Sequence, residues 1–117
     1  MILQQSTPDM TIELEVRQLG TDYAVTISGG AAHVGCVVLS VPRPSLLDSS
    51  RISCTSSVLN CTGHKDEEVC RLVAETLCIH FKATVVCTGG IHLDNISKRQ
   101  LEQIFEAVNY LLRQMTQ

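Results

Sequence analysis

An α+β domain is the fold class this sequence predicts, a mostly antiparallel sheet of about five strands with two helices packed on one face. Three observations lead there. The first half of the chain alternates apolar and polar residues at period two. The second half changes twice to helical spacing, and a short apolar run separates those two helical stretches.

The elements follow in order. Residues 1–10 are polar, include Pro8 and Asp9, and are set aside as a flexible N-terminal tail, leaving 11–117 as a single α+β domain. Ile12, Leu14 and Val16 alternate with Glu13, Glu15 and Arg17, the pattern of a half-buried strand. Leu19-Gly20-Thr21-Asp22 turns it into a second strand carrying Tyr23, Val25 and Ile27. His33 to Val41 is more continuously apolar and so more central. Arg51 to Val58 is a fourth strand, with Ile52, Cys54 and Val58 on one side and the hydroxyls of Ser53, Thr55 and Ser57 on the other.

From Asp66 to about Lys82 the spacing of Val69, Leu72, Val73, Thr76, Leu77 and His80 is helical. Acidic Asp66, Glu67 and Glu68 suit the positive end of the helix dipole. His80, on the apolar stripe, reads as a core histidine. Thr84 to Thr88 is a buried strand ending at Gly89-Gly90. Ser97 and Gln100 have capping-box spacing, and Leu101, Ile104, Phe105, Val108, Leu111, Leu112 and Met115 then form one long apolar stripe.

Composition narrows the function. A net charge of −3, no Trp, two Phe and two Tyr provide neither clustered cations nor stacking platforms, which argues against a nucleic-acid partner. No apolar stretch is long enough to span a membrane, and no basic region followed by an apolar run marks a secretory leader, so a cytoplasmic location is expected. The six cysteines, with no Cys-x-x-Cys pair, then read as reduced and mostly buried thiols. Cys61, ahead of the first helix, has the setting of a reactive thiol. A chain of 117 residues has a modest core, for which self-association as a homodimer adds useful stability.

Three of the four histidines lie beside glycine where apolar segments begin or end: Gly29-Gly30-Ala31-Ala32-His33, Thr62-Gly63-His64-Lys65-Asp66 and Gly89-Gly90-Ile91-His92-Leu93-Asp94. Glycine permits close backbone approach, so these histidines read as presented to a ligand. Gly63-His64-Lys65 opens a helix whose free N–H groups suit a phosphate. Arg43, fixed between Pro42 and Pro44, is preorganised for bidentate contact with an anion, the alternative being a loop arginine paired with Asp48. Ser45, Ser53 and Thr55 add hydroxyls. His92 and Asp94, two apart, face the same way if extended, and with His33 they make a two-histidine, one-carboxylate metal set; the alternative is that Asp94 or Asn95 caps a turn and the histidines bond to backbone carbonyls. No Gly-x-Ser-x-Gly elbow, P-loop, Rossmann fingerprint or His-Glu-x-x-His pair occurs, so no catalytic residue is assigned.

Taken as an ordered set, Gly29-Gly30-x-x-His33-Val34-Gly35, Val41-Pro42-Arg43-Pro44-Ser45-Leu46, Ser53-Cys54-Thr55, Gly63-His64-Lys65-Asp66 and Gly90-Ile91-His92-Leu93-Asp94 resemble the LpdD-like family. These are small accessory proteins of UbiD-type decarboxylases, regarded as prenylated-flavin chaperones. The resemblance runs from about Thr11 to near the C-terminus. It implies a non-catalytic carrier that takes reduced prenylated flavin mononucleotide (FMN) from the flavin prenyltransferase and hands it to a decarboxylase apoenzyme. Arg43, His64 and Lys65 would then clamp the phosphate, and the glycine loops, Gly90 among them, would let backbone approach the ring. His33, His92 and Asp94 would bond the isoalloxazine edge or hold a divalent metal.

Two other readings compete. One is a metal-dependent enzyme acting on a small phosphorylated or carboxylated substrate through His33, His92 and Asp94. The other is an oligomeric interaction module without a ligand.

Overall fold

The computed structural model describes residues 1–61 and 65–117, with residue 65 described by its backbone alone. Six strands and two helices follow one another as β1 (Ile2–Ser6), β2 (Thr11–Leu19), β3 (Asp22–Gly30), β4 (Cys36–Pro44), β5 (Ile52–Asn60), α1 (Lys65–Phe81), β6 (Val85–His92) and α2 (Lys98–Met115). They form one sheet of order β1-β2-β3-β6-β4-β5. Every neighbouring pair is antiparallel except β3 and β6, which run parallel from Tyr23↔Val85 to Gly30↔His92.

The α+β class with two helices holds, and the sheet corrects the expectation in two ways. It is mixed, and it has six strands where about five were expected. The additional strand lies inside the segment set aside as a tail: Ile2–Ser6 pairs with β2 from Ile2↔Glu15 to Ser6↔Thr11. Its polar composition hid it, since as an edge strand it turns only alternate residues such as Leu3 toward the core. β6 also runs past Gly89-Gly90 to His92, because the backbone of β3 continues to pair with it there.

The core lies between the helices and one face of the sheet. Ile12 and Leu14 of β2, Val25 and Ile27 of β3, Cys36 and Val38 of β4, and Val85, Cys87 and Ile91 of β6 are buried. α1 covers the β4–β6 side with Val69, Cys70, Val73, Ala74, Leu77 and Cys78, while Ile104, Ala107, Val108, Leu111 and Leu112 of α2 are buried toward β1 and β2. Each fully buried Leu or Ile contributes about 1.5–3 kcal/mol of transfer free energy, so this stripe spacing decides which face of α2 turns inward. The Ser97–Gln100 capping box forms as expected. α1 ends where Lys82 adopts a positive φ of 54°. His80 is exposed against the edge of Phe81 and not a core residue, because the last turn of α1 turns Phe81, stacked on Tyr23 of β3, toward the sheet instead.

A polar chain crosses the helix side of the sheet. Ser40, fully buried, shares a 2.7 Å hydrogen bond with Ser56, whose hydroxyl donates to Glu75 of α1 at 2.5 Å. Among the described residues, the opposite face carries no helix.

Candidate functional site

The glycines at the ends of β3 and β6 build the first cluster. Gly30 has a φ of 63°, and a Cβ there would lie 2.1 Å from the carbonyl oxygen of His92, so only glycine allows the two backbones to approach. Ala31 N–H then donates to that oxygen at 3.1 Å, and the chain turns back across the end of β6. His33 lands on Gly90, where an added Cβ would come within 2.6 Å of the imidazole.

Nδ1 of His33 lies 3.0 Å from the Ala31 carbonyl oxygen, which only accepts, so this nitrogen carries a hydrogen. Nε2 lies 3.0 Å from Oδ2 of Asp66, with one proton between them. Asp66 is buried. Its Oδ1 accepts the Ile91 N–H at 3.1 Å, and a Cβ on Gly35 would collide with Oδ2. One carboxylate therefore joins the start of α1, the edge of β6 and His33. In the sequence Asp66 reads as a favourable charge in the first helical turn, and the one signal of more is its place beside Gly63-His64-Lys65.

His92 and Asp94 do face the same way, with Nε2 and Oδ1 2.9 Å apart. His33 and His92 approach edge to face with centroids 6.3 Å apart. Each imidazole thus has its own carboxylate, and among the described residues no group of three or more His, Cys, Asp or Glu side chains is arranged to hold a metal ion. His64 lies outside the described residues, as does the side chain of Lys65.

The second cluster lies at the other end of β4. Beyond Ser40 this strand leaves β6 and continues against β5 alone, which tolerates Pro42 and Pro44. Arg43 is therefore a strand residue opposite Ser53. Its Nε donates to Thr55 Oγ1 at 2.7 Å and its Nη1 to the Pro44 carbonyl at 3.0 Å. Asp48 is not its partner: that carboxylate accepts from the hydroxyl and N–H of Ser50, which hold it below the usual carboxylate range. Ser45 Oγ accepts the Leu47 N–H, and Leu46 and Leu47 are almost fully exposed at the hairpin tip.

The candidate residues thus form two groups, His33, Gly90, His92 and Asp94 at one rim and Arg43, Ser45, Ser53 and Thr55 toward the other. β4 has 9 residues, which places its ends about 26 Å apart at about 3.3 Å per residue. Between the groups runs the open face, which the sequence reading did not single out as a surface. Strand register aligns Arg17, Ala24, Val86, Leu39 and Ser57 in one row, and Glu15, Thr26, Thr88, Val37 and Leu59 in the next. Leu39, Val41 and Leu59 are 42%, 44% and 73% exposed there. A shallow cavity of about 220 Å³ lies on the same sheet, lined by Glu15, Arg17, Ala24, Thr26, Val86 and Thr88 among others.

The six cysteines are free. Cys36, Cys70, Cys78 and Cys87 are buried and Cys61 is exposed. Burial pushes the Cys36 thiol up to about 12 and the Cys78 thiol up to about 11. Cys70 is raised by its hydrogen bond with Cys87 and by burial. The buried cysteines behave as small apolar residues, as the sequence suggested.

No curated protein matches the chain. The fold is similar to a chain in the crystal structure of a novel chaperone complex for yeast 20S proteasome assembly, at a TM-score of 0.57 and 11% identity, over 97% of this chain and 91% of that one. That likeness concerns architecture alone. Residues 6–117, which span both clusters and the open face, match the family described as the prenylated flavin chaperone LpdD-like domain, and the chain belongs to that family.

Proposed function

We propose that this protein binds reduced prenylated FMN, non-catalytically, and delivers it to a UbiD-type decarboxylase apoenzyme, receiving it from the flavin prenyltransferase. Family membership over 6–117 supports the cofactor class. The observation that carries the site is the rim where glycine backbones close against His33 and His92, with His33 locked by Asp66 over Gly90. A carrier needs fixed polar contacts for the ring edge and an anion clamp for the phosphate, with no reacting group between them. His33 and His92 supply the first. For the clamp, Arg43 uses two of its N–H groups on Thr55 and Pro44, and the rest of the guanidinium fork is available to an anion. The competing metal-enzyme reading has no convergent ligand set among the described residues, so the carrier reading is retained.

Anaerobic native mass spectrometry with reduced prenylated FMN tests binding, and mixing the loaded protein with apo-decarboxylase tests delivery. Stoichiometric adduct and restored decarboxylation are expected. No adduct, or adduct without transfer, would overturn the proposal.

A further inference from the structure

The open face of β4 is short of a cover, and the two candidate clusters are too far apart to grip one mononucleotide within a single chain. Both facts have one geometric solution. We propose that two copies of the chain stack open face to open face with their β4 strands antiparallel, so that Arg43 of one copy and His33 of the other border the same ligand site.

Along β4 the open-face residues are Val37, Leu39, Val41 and Arg43, and Leu39 is the middle of the apolar three. A two-fold axis through Leu39 sets Leu39 against itself and Val37 against the partner's Val41, an isologous apolar centre. The same operation carries Arg43 to the level of the partner's Gly35, next to the partner's His33. Packed sheets lie about 10 Å apart, so the clusters that stand about 26 Å apart along one chain come within reach of one ligand across the interface.

Charge agrees with this choice. The rim holding His33 carries the exposed carboxylate of Asp94, whereas the hairpin end carries Arg43 and Arg51 with a single carboxylate, Asp48, so antiparallel stacking brings the Arg43 end toward the partner's Asp94 rim. Glu13, Glu15 and Arg17 of β2 lie at the far side of the face and form a polar margin beside the apolar centre. A sheet of six strands about 4.8 Å apart presents on the order of 700 Å² before side-chain relief, close to the about 800 Å² per partner of a stable interface.

The ligand's identity rests on the carrier reading above; the stacking does not. Native mass spectrometry of the wild-type protein should show a dimer, and Leu39→Asp, a change at an exposed position, should give a monomer with an unchanged far-UV spectrum. The decisive arm mixes Arg43→Ala with His33→Ala. Each variant alone should retain at least tenfold less reduced prenylated FMN. After subunit exchange about a quarter of the wild-type retention should return, because half the dimers are mixed and each holds one intact site of two. Flavin on a wild-type monomer, wild-type-like retention by either variant alone, or no recovery in the mixture overturns the shared site. A wild type that retains no flavin instead overturns the carrier reading, and the shared site with it.

Discussion

His33 Nε2 and Asp66 Oδ2 stand 3.0 Å apart, and the same carboxylate accepts the Ile91 N–H through its other oxygen. The pair makes the imidazole's orientation a property of the α1–β6 packing and not of the loop that carries it. Asp66→Ala would leave a buried backbone donor without an acceptor and is expected to cost about 2–3 kcal/mol in urea unfolding. Asp66→Asn keeps an acceptor for Ile91 and should cost less than half as much. Equal costs for the two variants would refute the role assigned to the Ile91 bond.

Gly89 and Gly90 should respond differently to alanine. Gly89 has a φ of 141°, and a Cβ there would meet the Ile27 carbonyl oxygen at 1.8 Å, so Gly89→Ala strains rigid backbone and should cost about 3 kcal/mol or more. At Gly90 the obstacle is the half-exposed His33 ring, which can swing away. Gly90→Ala should lower stability by only about 1 kcal/mol while releasing His33 from Asp66 and weakening flavin retention. Thermal unfolding and native mass spectrometry together separate the two effects.

The buried thiols predict a pH limit. Cys36 and Cys78 ionise near 9.0 when unfolded and at about 12 and 11 when folded. Below pH 9 both states keep these protons and the thiols add no pH dependence. As pH rises above 9 the unfolded chain loses them first, so stability falls until the folded thiols ionise as well. The urea midpoint, followed from pH 8 to 10.5, should decline above 9, and Cys36→Ala should make that decline shallower. Ellman's reagent at pH 8 should label exposed Cys61 well before the buried thiols.

Ser97→Ala removes the hydroxyl that accepts the Gln100 N–H at 3.1 Å and should destabilise the domain by about 1 kcal/mol. Ser97→Asp, which retains an acceptor at the cap, should remain within a few tenths of a kcal/mol of wild type. A smaller Ser97→Ala effect would mean that helix packing, rather than the cap, fixes the start of α2.

Local pattern made most of the architecture legible. The β2–β3 hairpin follows from strict alternation and a Gly20 turn, and α2 from its apolar stripe and capping box. The parallel β3–β6 pairing escaped because pairing partners distant in sequence leave no periodic trace. β1 escaped because a short edge strand needs few apolar residues. At the site, the His92–Asp94 relationship was readable from a spacing of two. The Asp66 lock was not, since it depends on Gly35 leaving room for a carboxylate from another element. The separation of Arg43 from His33 was equally hidden, because sequence shows which residues suit an anion but not that one strand's length lies between them.

The last strand to be synthesised occupies the middle of the sheet. Until β6 has left the ribosome, the β1–β2–β3 meander and the β4–β5 hairpin share no strand pairing, for β3 and β4 meet only through β6. A nascent chain halted after Phe81 would therefore display two separate sheet edges and an α1 helix that can pack on β4 and β5 but lacks β6 beneath it. Emergence of His92 from the ribosome is therefore the point at which the two parts of the sheet can join over a common core.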